Sequence, residues 1–216
     1  MIATVAGASG LIGSYLLEQL LQDDDYKTVR ILIRRPFALE HPKLEKKIVD
    51  FTDSDSLLVA ISNSDVIFCS IGTTQKKVKG NKEAYRKIDY DIPVKIARLG
   101  KMTGCEKFVL VSSAGASSKS RSFYLKLKGE VEDAVKETGL RSVHIMRPSI
   151  LLGDRKEFRL GEGIGKGVMQ VFSFLLPSRY RPVRAKLVAK AMLAAPKLNT
   201  EGFFIYEYAA MKNLVK

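Results

Sequence analysis

Tryptophan is absent from this 216-residue chain, and cysteine and histidine occur only twice each. Two widely separated cysteines, Cys69 and Cys105, cannot form a disulfide framework and suit a reducing cytoplasm. Cys69 stands beside Ser70 at a strand end, where a thiol nucleophile is conceivable. No histidine signature accompanies it, and a buried, inert thiol is the simpler reading. His41 and His144 are isolated, with no metal-ligand spacing, so no metal is expected. His144 falls within an apolar strand and reads as a packed residue. Also missing is any run of the ~20 apolar residues needed to span a bilayer. The longest candidate, 168–177, reads as a helix packed over the active site. No basic leader precedes Ile2-Ala3-Thr4-Val5-Ala6, so no secretory signal is expected. Acidic residues are in deficit, 23 against 36 basic, for a formal charge of +13. The excess favours anionic partners without choosing among them. The basic residues are spread along the chain as a solvated surface would have them. No aromatic platform or recognition motif points to nucleic acid.

What is present is an alternation. Short apolar or β-branched runs at 2–6, 28–33, 47–51, 66–70, 108–112, 142–146 and 203–208 read as strands. Several are apolar almost throughout, as strands covered on both faces should be. Between them lie helical patterns at 11–21, 54–61, 83–102, 123–138, 163–176 and 183–195, with a kink or break expected at Pro93. Gly139 supplies a C-terminal cap for the fourth. The pattern predicts an α/β, doubly wound Rossmann fold: one domain over 1–216 with a mostly parallel sheet of about seven strands. The Gly-rich stretch 151–182 reads as a small C-terminal substrate lobe or lid.

The first strand runs into Gly7-Ala8-Ser9-Gly10-Leu11-Ile12-Gly13. The first glycine permits a tight turn, the second lets backbone approach a pyrophosphate, and the third lets helix pack on strand. The following helix would offer free N–H groups and a positive dipole end to phosphates. Gly7, Ser9, Gly10, Leu11, Ile12 and Gly13 are therefore expected to bind a dinucleotide. Where an NAD site usually has a carboxylate for the ribose 2′-hydroxyl, the second strand here ends in Arg34 and Arg35. Two guanidinium groups could grip a 2′-phosphate, so NADP(H) is the expected cofactor and NAD(H) the alternative. Plain surface charge is the other reading of this pair. Asp50 and Phe51 close the third predicted strand, where Asp50 could meet the adenine amino group or cap a turn. Ser70, Ile71, Gly72 and Thr73 follow the fourth strand and would flank the cofactor.

The fifth predicted strand ends in Ser112-Ser113-Ala114-Gly115, and Tyr124 and Lys128 follow at helical spacing on one face. A phenol is a weak base, with an ordinary pKa near ~10. A neighbouring ammonium would favour the phenolate and bring it toward neutral pH. Tyr124 would then move a proton, Ser113 would orient a carbonyl oxygen, and Lys128 would tune Tyr124 and hold the nicotinamide ribose. Ser112 is the second choice of serine, with a side chain that could point into the sheet. The loop 117–122 reads as polar and mobile.

Residues 7–13, Ser112-Ser113, Tyr124-x-x-x-Lys128 and Arg147-Pro148-Ser149 together resemble the atypical and extended branches of the short-chain dehydrogenase/reductase superfamily. Within it the chain looks like the Tat-interacting, thirty-kilodalton oxidoreductase-like family. That resemblance implies an NADPH-binding atypical reductase with Ser, Tyr and Lys as its catalytic set. It also places Arg147, Pro148 and Ser149 at the nicotinamide end. The expected reaction is hydride transfer to or from an unnamed carbonyl or alcohol, with a homodimer left open. Two rival readings are a dinucleotide-sensing regulator without turnover and a sugar-nucleotide epimerase or dehydratase. The Tyr–Lys pair argues against the first, and the little room for a substrate domain against the second.

Overall fold

The computed structural model describes residues 1–152 and 180–216. Seven strands form one sheet: β1 (Ile2–Ala6), β2 (Thr28–Ile33), β3 (Leu44–Ile48), β4 (Val66–Cys69), β5 (Lys107–Val111), β6 (Ser142–Met146) and β9 (Gly202–Tyr206). Their order is β3-β2-β1-β4-β5-β6-β9, and every neighbouring pair is parallel. Order reverses between β1 and β4, the place where open α/β sheets leave a crevice for ligands.

Strand side chains alternate between two core layers. Ala3, Val5 and Val109 pack on one face with Leu16 and Leu20 of α1 (Leu11–Gln22) and Val188 of α6 (Ala185–Ala194). Ala6, Phe108 and Leu110 pack on the other with α2 (Ser54–Ile61), α4 (Ile92–Met102) and α5 (Phe123–Lys136). Double coverage explains why β4 is apolar and buried at all four positions.

Three expectations are displaced. The third strand lies at Leu44–Ile48 rather than 47–51. It is an edge strand, half-exposed, and tolerates the charges of Glu45, Lys46 and Lys47 that hid it. Val49 and Phe51 are buried after the strand ends. The long helix at 83–102 is broken into α3 (Lys82–Arg86), a π-helical turn (Lys87–Asp91) and α4. Pro93 has no N–H to bond the carbonyl four residues back, that of Asp89, and its ring crowds that carbonyl. Opening one turn to wider bonding relieves both problems and rotates Asp89 inward, where it is 1% exposed. The last predicted strand gives way at Tyr206, and α7 (Tyr208–Leu214) follows. A short parallel pair, β7 (Leu151–Leu152) with β8 (Val183–Arg184), had no readable period at two residues each. The predicted helix 163–176 and most of the predicted lobe lie outside the described residues.

His144 is packed in mid-strand, as expected. Its Nε2 meets Ser142 Oγ at 2.9 Å and its Nδ1 meets the Tyr206 hydroxyl at 3.1 Å. The ring stacks on Phe204 and Tyr206. Burial, and then the Lys107 charge, pushes its pKa down from 6.5 to about 4. The unfolded chain therefore binds a proton here that the folded chain refuses. The resulting stabilisation is complete above pH 6.5 and is lost as pH falls toward 4, amounting to about 3 kcal/mol at most. Urea midpoints measured from pH 7 to 4.5 should fall in wild type, and His144→Gln should remove the part of that slope lying above the carboxylate range. An identical slope in both proteins would refute the assignment.

Candidate functional site

The glycine turn is built from close approaches. Gly7 adopts φ +92°, and a Cβ there would lie 2.8 Å from the Ser70 carbonyl carbon. Gly10 caps α1 without any side-chain hydrogen bond, and no acidic residue occupies the first turn. Four N–H groups at a helix start have no intrahelical acceptor, so this end offers donors and a positive dipole to an anion. Gly13 is buried beneath, its virtual Cβ 2.1 Å from the Gly7 carbonyl oxygen. These features fit a dinucleotide pyrophosphate.

One continuous cleft runs along the carboxyl ends of the strands. Of the predicted residues it is lined by Gly7, Ser9, Gly10, Leu11 and Ile12, by Arg34, Arg35 and Phe51, and by Ser70, Ile71, Gly72 and Thr73. Ser112, Ser113, Tyr124, Lys128, Pro148 and Ser149 line the same cleft. Arg34 and Arg35 are exposed there and have no side-chain partner among the described residues. Their position beside the β1–β2 end fits a phosphate on the adenosine ribose.

Three predicted residues lie elsewhere. Gly13 acts through packing alone. Asp50 is exposed and turned onto Thr52, accepting from its N–H at 2.8 Å and its hydroxyl at 2.7 Å. Those bonds hold its carboxyl below the usual carboxylate range. Arg147 is turned onto α5, where Nε donates to Glu132 Oε1 at 3.0 Å. The Glu132 carboxylate in turn holds the guanidinium further into its charged range.

The two serines separate at this point. Ser112 is on the α5 side of the sheet and donates its hydroxyl to Glu132 Oε1. The Ser113 hydroxyl, one residue on, makes among the described residues only a long 3.5 Å bond to the Ala114 carbonyl. The loop after them is tied back by Ala114 N–H to Pro148 O at 2.8 Å. Its 117–118 backbone lies directly over Gly129, where a Cβ would come 2.1 Å from Ser118 N. Absence of a side chain at Gly129 is thus what lets the loop settle against α5.

Lys128 is 7% exposed and pairs with Asp89, 1% exposed, at 2.9 Å. The second oxygen of Asp89 accepts from Thr73 N–H at 2.6 Å. Tyr85 donates its hydroxyl to Thr73 O at 3.2 Å and sets its ring edge-on to Tyr124, 6.4 Å between centroids. Asp89, Tyr85 and Glu132 were not foreseen. Two of the three carry a readable signal: Asp89 is four residues before Pro93, and Glu132 continues the Tyr124–Lys128 stripe by another four. Cys69 is buried, and desolvation pushes its thiol up to about 11, an inert group. Among the described residues no cluster of metal-ligating side chains occurs. No described helix is long and apolar enough to cross a membrane.

Comparison with known proteins agrees with this geometry. Residues 7–173 match the family model described as NAD(P)H-binding. Protein HTATIP2 of Rattus norvegicus is 36% identical over 165 residues, which span 75% of this chain and 67% of that protein. Protein FMP52, mitochondrial, of Candida glabrata is 36% identical over 162 residues, 74% of this chain and 68% of that protein. MoeE5 in complex with UDP-glucuronic acid and NAD superposes with a TM-score of 0.73 at 16% identity, over 96% of this chain and 76% of that one. UDP-N-acetylglucosamine 4-epimerase from Bacillus cereus gives a TM-score of 0.70 at 17% identity, over 96% and 78%. At those identities the shared property is the fold.

The Asp89–Lys128 pair should be costly to break. Asp89→Ala removes the carboxylate from a buried ammonium and is expected to cost about 3–5 kcal/mol in urea unfolding. Asp89→Asn keeps an acceptor for Thr73 N–H and should cost less. Equal, small losses in both variants would contradict a stabilising role for the pair.

Proposed function

Because the chain belongs to the NAD(P)H-binding family, we propose that it is an oxidoreductase that uses NADP(H) to interconvert a carbonyl compound and its alcohol. The observation that carries this reading is the single cleft lined at one end by the glycine turn and Arg34–Arg35, and further along by Ser113, Tyr124 and Lys128. A protein that only sensed a dinucleotide would need the first group and not the second.

In this proposal the N–H groups of α1 hold the pyrophosphate and Arg34 and Arg35 the 2′-phosphate, so NADP(H) is preferred over NAD(H). Phe51, Ser70 to Thr73, Pro148 and Ser149 line the remainder of the cofactor's path. When bound, NADPH supplies a hydride from its nicotinamide C4 to the substrate carbonyl carbon. Tyr124 gives its hydroxyl proton to the carbonyl oxygen, which completes the alcohol, and takes a proton back in the reverse direction. Ser113 is the serine that orients the oxygen, since the Ser112 hydroxyl is committed to Glu132. Ser112, Glu132 and Arg147 serve as a brace between β5, α5 and β6. Lys128, fixed by Asp89, stands one helical turn from Tyr124 and steadies the charge that develops there. Two free cysteines suit a reducing compartment such as the cytoplasm; the FMP52 relatives are named mitochondrial, and cell fractionation would decide between the two.

The test has two parts. Titration with NADPH and NADH, followed by nicotinamide fluorescence, should give at least about ten-fold tighter NADPH binding, the size expected for one charge-assisted contact. Arg34→Ala with Arg35→Ala should bring the two constants together, and equal constants in wild type would defeat the NADP(H) assignment. Tyr124→Phe should bind NADPH as wild type does and lose at least about 100-fold in turnover. Full turnover in that variant would remove Tyr124 from the mechanism.

A further inference from the structure

The cleft is electrostatically one-sided. Among its described lining residues there is no aspartate or glutamate, while cations line it at both ends. Arg34 and Arg35 stand at the end of β2 and are accounted for by a 2′-phosphate. Arg184 ends β8, which pairs with β7 just beyond β6, and Lys212 lies on α7 just beyond β9. Both are exposed on the cleft, and neither has a side-chain hydrogen bond or ion pair among the described residues. Lys212 shares its helix face with Tyr208, four residues earlier, which also lines the cleft.

From β2 to β6 the sheet order counts four inter-strand steps. At about 4.8 Å each they set the carboxyl ends of β2 and β6 roughly 19 Å apart, and Val183, next to Arg184, donates its N–H to Ile150 O at 2.9 Å just beyond β6. A 2′-phosphate at Arg34–Arg35 therefore cannot also neutralise Arg184 and Lys212. The pyrophosphate has its own donors at the start of α1. The Lys128 ammonium, between these ends, is matched by Asp89. Arg184 and Lys212, toward the β6–β9 end, are exposed cleft cations that none of these groups accounts for.

On the proposed-function reading, we propose that the substrate is a small carbonyl compound bearing an anionic group, a carboxylate or a phosphate, held by Arg184 and Lys212. The anion fixes which end of the molecule faces Tyr124. Cations inside a cleft with low-dielectric walls, and with no carboxylate among its described lining residues, attract such a ligand more strongly than the same charges on an open surface.

The experiment compares matched substrates on the full chain with NADPH. One arm uses 2-oxobutyrate against its methyl ester, the other glyceraldehyde 3-phosphate against glyceraldehyde. In at least one arm the anionic member should have a kcat/KM about ten-fold higher or more, and Arg184→Ala with Lys212→Ala should reduce that ratio about ten-fold. The arm that responds identifies the anion as carboxylate or phosphate. A ratio near one in both arms, or a ratio unchanged by the double variant, overturns the proposal. So does an equal loss of NADPH affinity in the double variant, which would assign the two cations to the cofactor. A second readout needs no turnover. Oxamate and glycerol 3-phosphate are titrated calorimetrically into protein carrying Arg34→Ala and Arg35→Ala, with and without the Arg184 and Lys212 replacements. Binding that disappears with those replacements supports the anion site even if NADPH fails to bind, a failure that would sink the oxidoreductase reading alone. No binding of either anion overturns the site itself.

Discussion

Helix α1 reaches the cleft only because residue 13 has no side chain. A Cβ there would stand 2.1 Å from the Gly7 carbonyl oxygen and 2.8 Å from the Ser70 hydroxyl. Any other residue would push the helix off the ends of β1 and β4, taking its first-turn N–H groups with it. Gly7 makes the complementary concession, turning at positive φ so that the chain clears Ser70. Ser70 answers by donating its hydroxyl toward the carbonyls of Ala6 and Gly7 at 3.3 and 3.2 Å. The floor of the cleft, the position of Arg34–Arg35 beside it and the line toward Tyr124 all follow from that contact.

Two buried polar networks set the other wall. Asp89, Lys128 and Thr73 join the π-helical turn, α5 and the loop after β4. Ser112, Glu132 and Arg147 join β5, α5 and β6. Both networks end on α5, and both are satisfied by geometry that only one register of that helix permits. Since a buried charge that loses its partner costs far more than a surface pair supplies, these contacts penalise rotation or sliding of α5. Tyr124 thereby keeps a fixed bearing relative to Ser113 although it stands on a helix and Ser113 follows a strand.

The order of strands and helices was legible because double burial writes itself as continuous apolar runs, and because glycine turns, Pro93 and Gly139 punctuate the chain in known ways. The cleft was legible for the same reason: Gly7, Arg34, Ser113, Tyr124 and Pro148 each follow a recognisable strand end or helix face. What escaped was the edge and the interior. Edge strand β3 carries Lys46 and Lys47, so its pattern is that of a loop. Asp50 looked like a site residue but satisfies its own turn with Thr52. Arg147 was read as cofactor-facing because of the Arg-Pro-Ser triplet, whereas its guanidinium pairs with the buried Glu132, 15 residues earlier. Partners of that kind are set by tertiary packing, and a sequence shows the spacing of such residues without showing which of them meet.

The deficit of acidic residues has a local meaning beyond the net charge. Carboxylates are present near the cleft, yet Asp89 and Glu132 are both turned inward onto cations and away from the ligand space. Each carboxylate in the interior cancels one cation that structure or chemistry requires there. Among the described residues none pairs with Arg34, Arg35, Arg184 or Lys212. Uncompensated like charges along one cleft repel one another and reduce the stability of the empty fold. Anionic ligands that pair with them relieve the repulsion, so ligand binding and stability are linked by mass action. The asymmetry between a neutralised interior and a cationic lining is therefore the expected form of a site whose ligands, cofactor and substrate alike, arrive carrying the missing negative charge.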